Sequence, residues 1–228
     1  MLNNLSQKEI NDVVHWDVRN WSRSFAFWEK NSTLKPNSKV LVLGDREGGM
    51  SLIFAKNGHN VICSDYFDFP DTTVKLHKEY NLEAQISYKR VDMKNIDLAA
   101  ESVDLVVFKS VLGALHNLPD QKKSFAQIYQ VLKPGGQLFF AENLSGSKAH
   151  QFLRKKYVNW GENWRYITDD EVKQWTSQFK SCVTVSFGVI ALLGRSEKQR
   201  EILSTFDRVL SKFTPKKWRY ILFGVVTK

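Results

Sequence analysis

Three positions, each just after a strand-like run, carry most of the chemistry this sequence offers. Gly44-Asp45-Arg46-Glu47-Gly48-Gly49 follows Lys39–Leu43 (KVLVL). Glycines in such a turn let the backbone approach a ligand, and the helix beyond offers free N–H groups to an anionic end. A plain tight strand-to-helix turn has the same composition. The spacing is neither G-x-G-x-x-G nor a Walker A loop. Asp65 closes the second apolar run, 21 residues beyond Gly44, where a carboxylate can accept from both ribose hydroxyls of an adenosine. Asp92 follows the third run at once and can accept from an adenine amino group. Either aspartate taken singly can equally be a turn or helix cap. All three in order, each at a strand end, are hard to obtain by coincidence.

The elements that must position these residues alternate. Residues 7–30 read as one amphipathic helix, broken by Leu34–Ser38. Strands are predicted at Lys39–Leu43, Asn60–Ser64, Ile86–Val91, Val103–Lys109, Gln137–Glu142, Val183–Leu193 and Arg219–Thr227. Helices are predicted near Ser51–Lys56 and at Asp71–Tyr80, Pro119–Leu132 and Ser196–Lys212, with another opened by the capping box at Thr168–Glu171. This alternation predicts an α/β fold, a doubly wound and mostly parallel seven-stranded sheet with helices on both faces. In such sheets the ligand crevice lies at the carboxyl ends of the strands.

The sequence resembles the class I S-adenosylmethionine-dependent methyltransferases over residues 38–228. The resemblance is carried by Val40–Gly48, by Asp65 and Asp92 in register, by Val103-Asp104-Leu105-Val106-Val107, and by an unaltered Leu132-Lys133-Pro134-Gly135-Gly136. Val42 and Arg46 depart from the family's acidic residue and middle glycine. The Arg-x-Gly-Gly form resembles a subgroup associated with bacterial surface-polysaccharide loci. The resemblance implies a Rossmann-like sheet with an antiparallel last strand and S-adenosylmethionine as donor. It implies a donor site of Gly44, Asp45, Arg46, Gly48, Asp65, Tyr66, Asp92, Met93 and Lys109, with Arg46 free to pair with the donor's carboxylate or to point away. It also implies a single domain. Within it, residues 36–144 are expected to form the donor-binding core and 145–228 an acceptor-side insertion, helices and a hairpin, while residues 1–35, outside the resemblance, read from their helix with Trp16, Trp21 and Trp28 as a lid over the donor rather than a membrane anchor.

A sulfonium donor is already activated, so catalysis is mainly alignment, with a base for an oxygen acceptor. His116, near the end of the stretch after the fourth strand, is the first candidate base, with a capping or packing histidine as the other reading. Glu142 and Asn143 border the same crevice, and His150 comes third. The segment His150–Tyr166 is dense in cations and rings. Arg154, Trp160, Trp164 and Arg165 are expected to bind the acceptor, through stacking and phosphate contacts, or else to form a packed amphipathic lid. The family's Asp/Asn-Pro-Pro-Tyr/Phe motif is missing after the fourth strand, against an adenine N-methylase. No cysteine follows the fourth or fifth strand, against carbon-5 chemistry.

Composition sets the remaining bounds. Residues 1–144 balance 17 basic against 17 acidic side chains, whereas residues 145–228 hold 16 basic and 7 acidic, so the net +9 sits in the last third. A localised excess points to an anionic small-molecule acceptor, such as a nucleotide- or lipid-linked sugar, and leaves peripheral membrane contact open; a solvated lysine-rich surface would look the same. Without a separate RNA-binding module or arginine-rich tail, RNA is the second reading, and a non-catalytic donor-binding scaffold the third. Cys63 and Cys182 are expected to be small buried side chains. Histidine spacing suggests no metal. A cytoplasmic protein, at most membrane-peripheral, is the expectation, with the oligomeric state open.

Overall fold

The structure, a computed structural model, describes residues 5–157 and 163–228. Its spine is a seven-stranded sheet in the order β3-β2-β1-β4-β5-β7-β6. The strands are β1 (Lys39–Leu43), β2 (Asn60–Asp65), β3 (Ile86–Arg90), β4 (Val103–Lys109), β5 (Leu132–Asn143), β6 (Ser181–Phe187) and β7 (Ile221–Thr227). β1 to β5 pair in parallel, while β7 runs antiparallel between β5 and β6. Val40, Leu41, Val42, Leu105, Val106 and Val107 are fully buried, which is why β1 and β4 read as unbroken apolar runs: both faces of the sheet are covered. The winding reverses between β1 and β4, so the crevice opens beside Gly44 and Lys109.

Among the described residues the helices are α1 (Gln7–Val14), α2 (Val18–Trp21), α3 (Arg23–Asn31), α4 (Gly49–Lys56), α5 (Asp71–Glu79), α6 (Leu118–Val131), α7 (Lys148–Tyr157), α8 (Asp169–Trp175) and α9 (Glu197–Phe213). α3 and α4 pack into one core cluster, and α6 and α8 into the other, on the opposite face. Trp28 of α3 is wholly buried, stacks on Phe139 with ring centroids 5.9 Å apart, and donates its indole N–H to the Phe140 carbonyl.

Two elements differ most from their sequence pattern, and one carboxylate network, with Asp17 and Asp207 buried in it, explains both. Residues 7–30 are three helices rather than one, because His15 and Asp17 take left-handed backbone conformations with φ of 59° and 45°. Glu197 holds the break by accepting from the Asp17 and Val18 amides at 3.0 and 2.7 Å. The expected strand to Leu193 stops at Phe187. Beyond it the Asp207 carboxylate accepts from the amides of Val189, Ile190 and Ala191, turning the chain into a short 3-10 helix. Asn20 donates to Asp207 at 2.9 Å, and the Tyr220 hydroxyl donates to Asp17. Cys182 is also corrected: it is exposed, on a strand at the sheet's edge, while Cys63 is buried.

The same network predicts a pH effect. Asp17 is wholly buried. Burial raises its carboxyl to about 7, with bonds from Tyr220 and Asn20 opposing and the charges of Asp207 and Glu197 adding to the rise. Because the folded value lies above the unfolded one, Asp17's contribution to stability is full below about pH 4 and is lost as pH climbs through 7. Unfolding free energy should fall over that window, by up to about 4 kcal/mol from this group. Asp17→Asn should remove that part of the slope in urea melts run at a series of pH values. An unchanged slope would show that Asp17 is ionised in the folded protein.

Candidate donor and acceptor site

The side expected to take the donor is built from the turns after β1, β2 and β3. Gly44 is exposed with φ +66°, and a Cβ there would lie 2.5 Å from a methyl of Val111, so the close approach needs glycine. Gly48, φ +76°, caps α4 against His77 and Thr73. Arg46 is exposed, its guanidinium 5.6 Å from the Phe67 ring centroid. Asp65 is 8% exposed. One of its oxygens accepts from the Phe67 amide at 2.9 Å, and the other accepts nothing among the described residues. Tyr66 beside it is exposed and edge-on to Phe67. Asp92 is partly buried, with one oxygen accepting from the Lys94 amide at 2.9 Å and the other 3.9 Å from the Lys94 ammonium. Two expected donor contacts face elsewhere. The Asp45 carboxylate is buried and accepts from the Met50 and Ser51 amides, capping α4, and burial raises its pKa. The Met93 side chain is buried in the second core cluster. Next to the loop, α1 packs so tightly on α4 that a Cβ at Gly49 would sit 2.7 Å from the Val13 Cα.

Where β4 and β5 end, a cavity of about 230 Å³ opens. Its rings are Trp16, Trp21, Trp164 and Tyr166, its polar groups Lys109, Ser110, Asn143 and Arg154, and Val14 and Leu192 complete the wall. The Lys109 ammonium donates to the Val14 carbonyl at 3.3 Å and lies 5.5 Å from the Trp21 ring centroid. Burial lowers its pKa, opposed by the charges of Asp45 and Glu142. Asn143 donates to the Ser110 hydroxyl at 2.7 Å. Arg154 is 3% exposed. One guanidinium nitrogen donates to the Leu144 carbonyl at 2.6 Å, the group stacks 4.0 Å from the Tyr166 centroid, and its other terminal nitrogen is buried with no partner. Trp164 lies flat against Gly113, where a Cβ would fall 1.8 Å from the indole nitrogen, itself unpartnered.

Four expected site residues are placed differently, each for a visible reason. Glu142 is wholly buried. One oxygen accepts from the Val111 and Leu112 amides at 2.8 Å, the other from the Asn143 amide. It therefore fixes the turn after β4 and presents no free oxygen to an acceptor. Burial raises its pKa, opposed by those amides. His116 is exposed and outside the cavity wall, its Nδ1 bonded to the Asn163 carbonyl. His150 is buried, Nδ1 accepting from the Ser147 amide and Nε2 donating to the Val189 carbonyl at 2.7 Å. Arg165 is paired with Glu171 and Gln121. Trp160 lies outside the described residues. Ser110 and Tyr166 were not among the expected acceptor contacts, and Trp16 and Trp21 were expected over the donor. Their apolar spacing marks a helix without showing which cavity it walls.

Comparison with known proteins places this geometry. Residues 41–140 match the family described as a methyltransferase domain. The ubiquinone biosynthesis O-methyltransferase of Hahella chejuensis is 31% identical over 147 residues, covering 59% of this chain and 59% of that protein. The arsenite methyltransferase of Rattus norvegicus is 25% identical over 139 residues, 55% of this chain and 37% of that protein. The chain thus spans between a third and two thirds of the length of these relatives. Phosphoethanolamine N-methyltransferase 2 of Haemonchus contortus, solved with S-adenosyl-L-methionine, has a TM-score of 0.67 at 16% identity, covering 98% of this chain and 57% of that one. That likeness is one of fold: both sheets are Rossmann-like.

Proposed function

We propose that this chain is an S-adenosylmethionine-dependent methyltransferase that O-methylates a small phosphate-bearing acceptor, such as a nucleotide- or lipid-linked sugar. The observation that carries the acceptor class is the cavity itself, where the buried guanidinium of Arg154 stands among four aromatic rings, with the half-buried Lys109 beside them. Rings stack on a sugar or base, and a guanidinium with an unsatisfied N–H suits an anionic oxygen. The donor reading is supported by the match over residues 41–140 and by the donor bound in the Haemonchus structure. The rim fits it: Asp65 holds out one unpartnered oxygen, and Gly44 leaves the backbone open. The Arg-x-Gly-Gly form of the loop supports a place in bacterial surface-polysaccharide assembly.

When bound, the donor supplies an electrophilic methyl group. The protein's part is then to orient the acceptor hydroxyl, exclude water and accept a proton. With His116, Glu142 and His150 engaged elsewhere, Lys109 takes the base role in this reading. It is the lysine of the cavity wall, and burial shifts it toward the neutral amine. The hydrogen-bonded Ser110 and Asn143 beside it are placed to orient the hydroxyl. The test is labelled-methyl transfer into sugar nucleotides, glycolipids, small phenols and total RNA. Label is expected in a phosphate-bearing sugar. Transfer into RNA with steep salt dependence, or into neutral phenols alone, would overturn the acceptor class. No transfer despite tight donor binding would favour a scaffold.

A further inference from the structure

The longest helix among the described residues is built inside out. α9, 17 residues over Glu197–Phe213, buries Ser204, Asp207 and Ser211 against the rest of the protein. Its apolar residues Ile202, Phe206, Val209 and Phe213 are 56, 56, 57 and 82% exposed. The spacing of four, three and four puts them on one stripe, and the buried polar residues, offset by two or five positions, lie on the opposite side. The inward polar face is explained by the Asp207 network that holds residues 189–191 and Asn20. Among the described residues nothing covers the outward stripe. Leu193, shortly before the helix, and Trp218, shortly after it, are exposed as well.

We propose that this face seats the protein on an anionic lipid bilayer. Charge selects the occupant. Residues 195–219 carry eight Lys or Arg against three acids; Asp207 is buried on backbone amides, and Glu197 is engaged by Arg200 and by the Asp17 and Val18 amides, which leaves the cations in excess. Lys198, Lys212 and Arg208 line one shoulder of the stripe, and Lys216 and Lys217 follow it. A helix with a strong apolar face, phenylalanines on it and basic flanks is the pattern that lies in the plane of a lipid headgroup layer, where cations near an anionic surface add attraction. A second copy fits worse, because a two-fold contact would bring the same cationic shoulder against itself. No helix among the described residues is long and apolar enough to span the bilayer, so the protein would rest on the surface. Leu192 lines the cavity and its neighbour Leu193, shortly before α9, is exposed, so seating α9 brings the cavity wall next to the headgroups.

The experiment is co-sedimentation of the full chain with vesicles of phosphatidylcholine, with and without phosphatidylglycerol. Strong binding to the anionic vesicles is expected, weakened by salt. Phe206→Ser with Phe213→Ser should weaken it by about tenfold or more, and Lys212→Glu with Lys216→Glu and Lys217→Glu should do the same on anionic vesicles alone. All five side chains are exposed, so circular dichroism and thermal melts of the variants should match the parent. Absence of binding to either vesicle would overturn the proposal. So would unchanged binding by the serine variant. A solution dimer that the serine variant dissolves, with no vesicle binding, would assign the face to a second copy. The assay needs no methyl transfer, so it stands apart from the proposed activity.

Discussion

Replacing Asp65 by alanine is expected to weaken binding of S-adenosylhomocysteine by about 100-fold or more, measured by calorimetry, with little change in thermal stability. The reasoning starts from what the carboxylate does in the protein. It is nearly buried, yet only one oxygen is used internally, by the Phe67 amide at 2.9 Å. The second oxygen is not sealed from solvent and has no partner among the described residues, so a ligand's donors can satisfy it. Two ribose hydroxyls would do so through hydrogen bonds to a charged group, each contributing roughly 1.5–3 kcal/mol. Losing both costs on the order of a hundredfold in affinity or more. The protein itself gives up a single turn contact, so Asp65→Asn separates the two roles. The amide keeps the Phe67 bond and the shape but loses the negative charge, and it should fall between aspartate and alanine. Full affinity in Asp65→Ala would remove β2 from the donor site and with it the whole placement of the nucleoside.

How much of this was legible beforehand depends on the range of the interaction. β1 and β4 were readable because a strand covered on both faces leaves an unbroken apolar run, as Val103–Lys109 does, whereas the largely exposed β3 was readable from its place in the alternation. The strand ends that carry Gly44, Asp65 and Asp92 were readable because topology alone puts them at the crevice. What failed were side chains whose partners lie far along the chain. Glu142 looks like a base from its place at the end of β5, and only the amides of Val111 and Leu112, some thirty residues away, show that it is spent on the loop. His150 is committed to Val189, and the break at Asp17 is held by Glu197, 180 residues on. α9 was correctly placed as a helix, but its period does not tell which face is inward. Hydrophobicity would have turned it the other way. Asp207 overrules that preference because a buried carboxylate must meet donors, and the backbone at residues 189–191 supplies them.

The largest loss of turnover is expected at Lys109. Lys109→Met keeps much of the stem's volume and removes the amine, so the cavity should survive while methyl transfer falls about 100- to 10,000-fold, the usual worth of a positioned base. The pH profile separates a base from a mere positive charge. Burial holds the folded pKa of Lys109 below its ordinary value, so the neutral amine gains population as pH rises through that lowered value. kcat should climb with pH and level off below the usual lysine range. Lys109→Arg preserves the cation and cannot lose its proton in this range. If the group only binds an anionic acceptor, arginine should restore much of the rate and KM alone should suffer. If it takes the hydroxyl proton, arginine should be as poor as methionine in kcat and should flatten the alkaline rise. The second pattern is the expected one. Retention of the parental pH profile in Lys109→Met would move the base elsewhere and leave Lys109, beside Trp21 and the Val14 carbonyl, as a strut between α1 and the sheet.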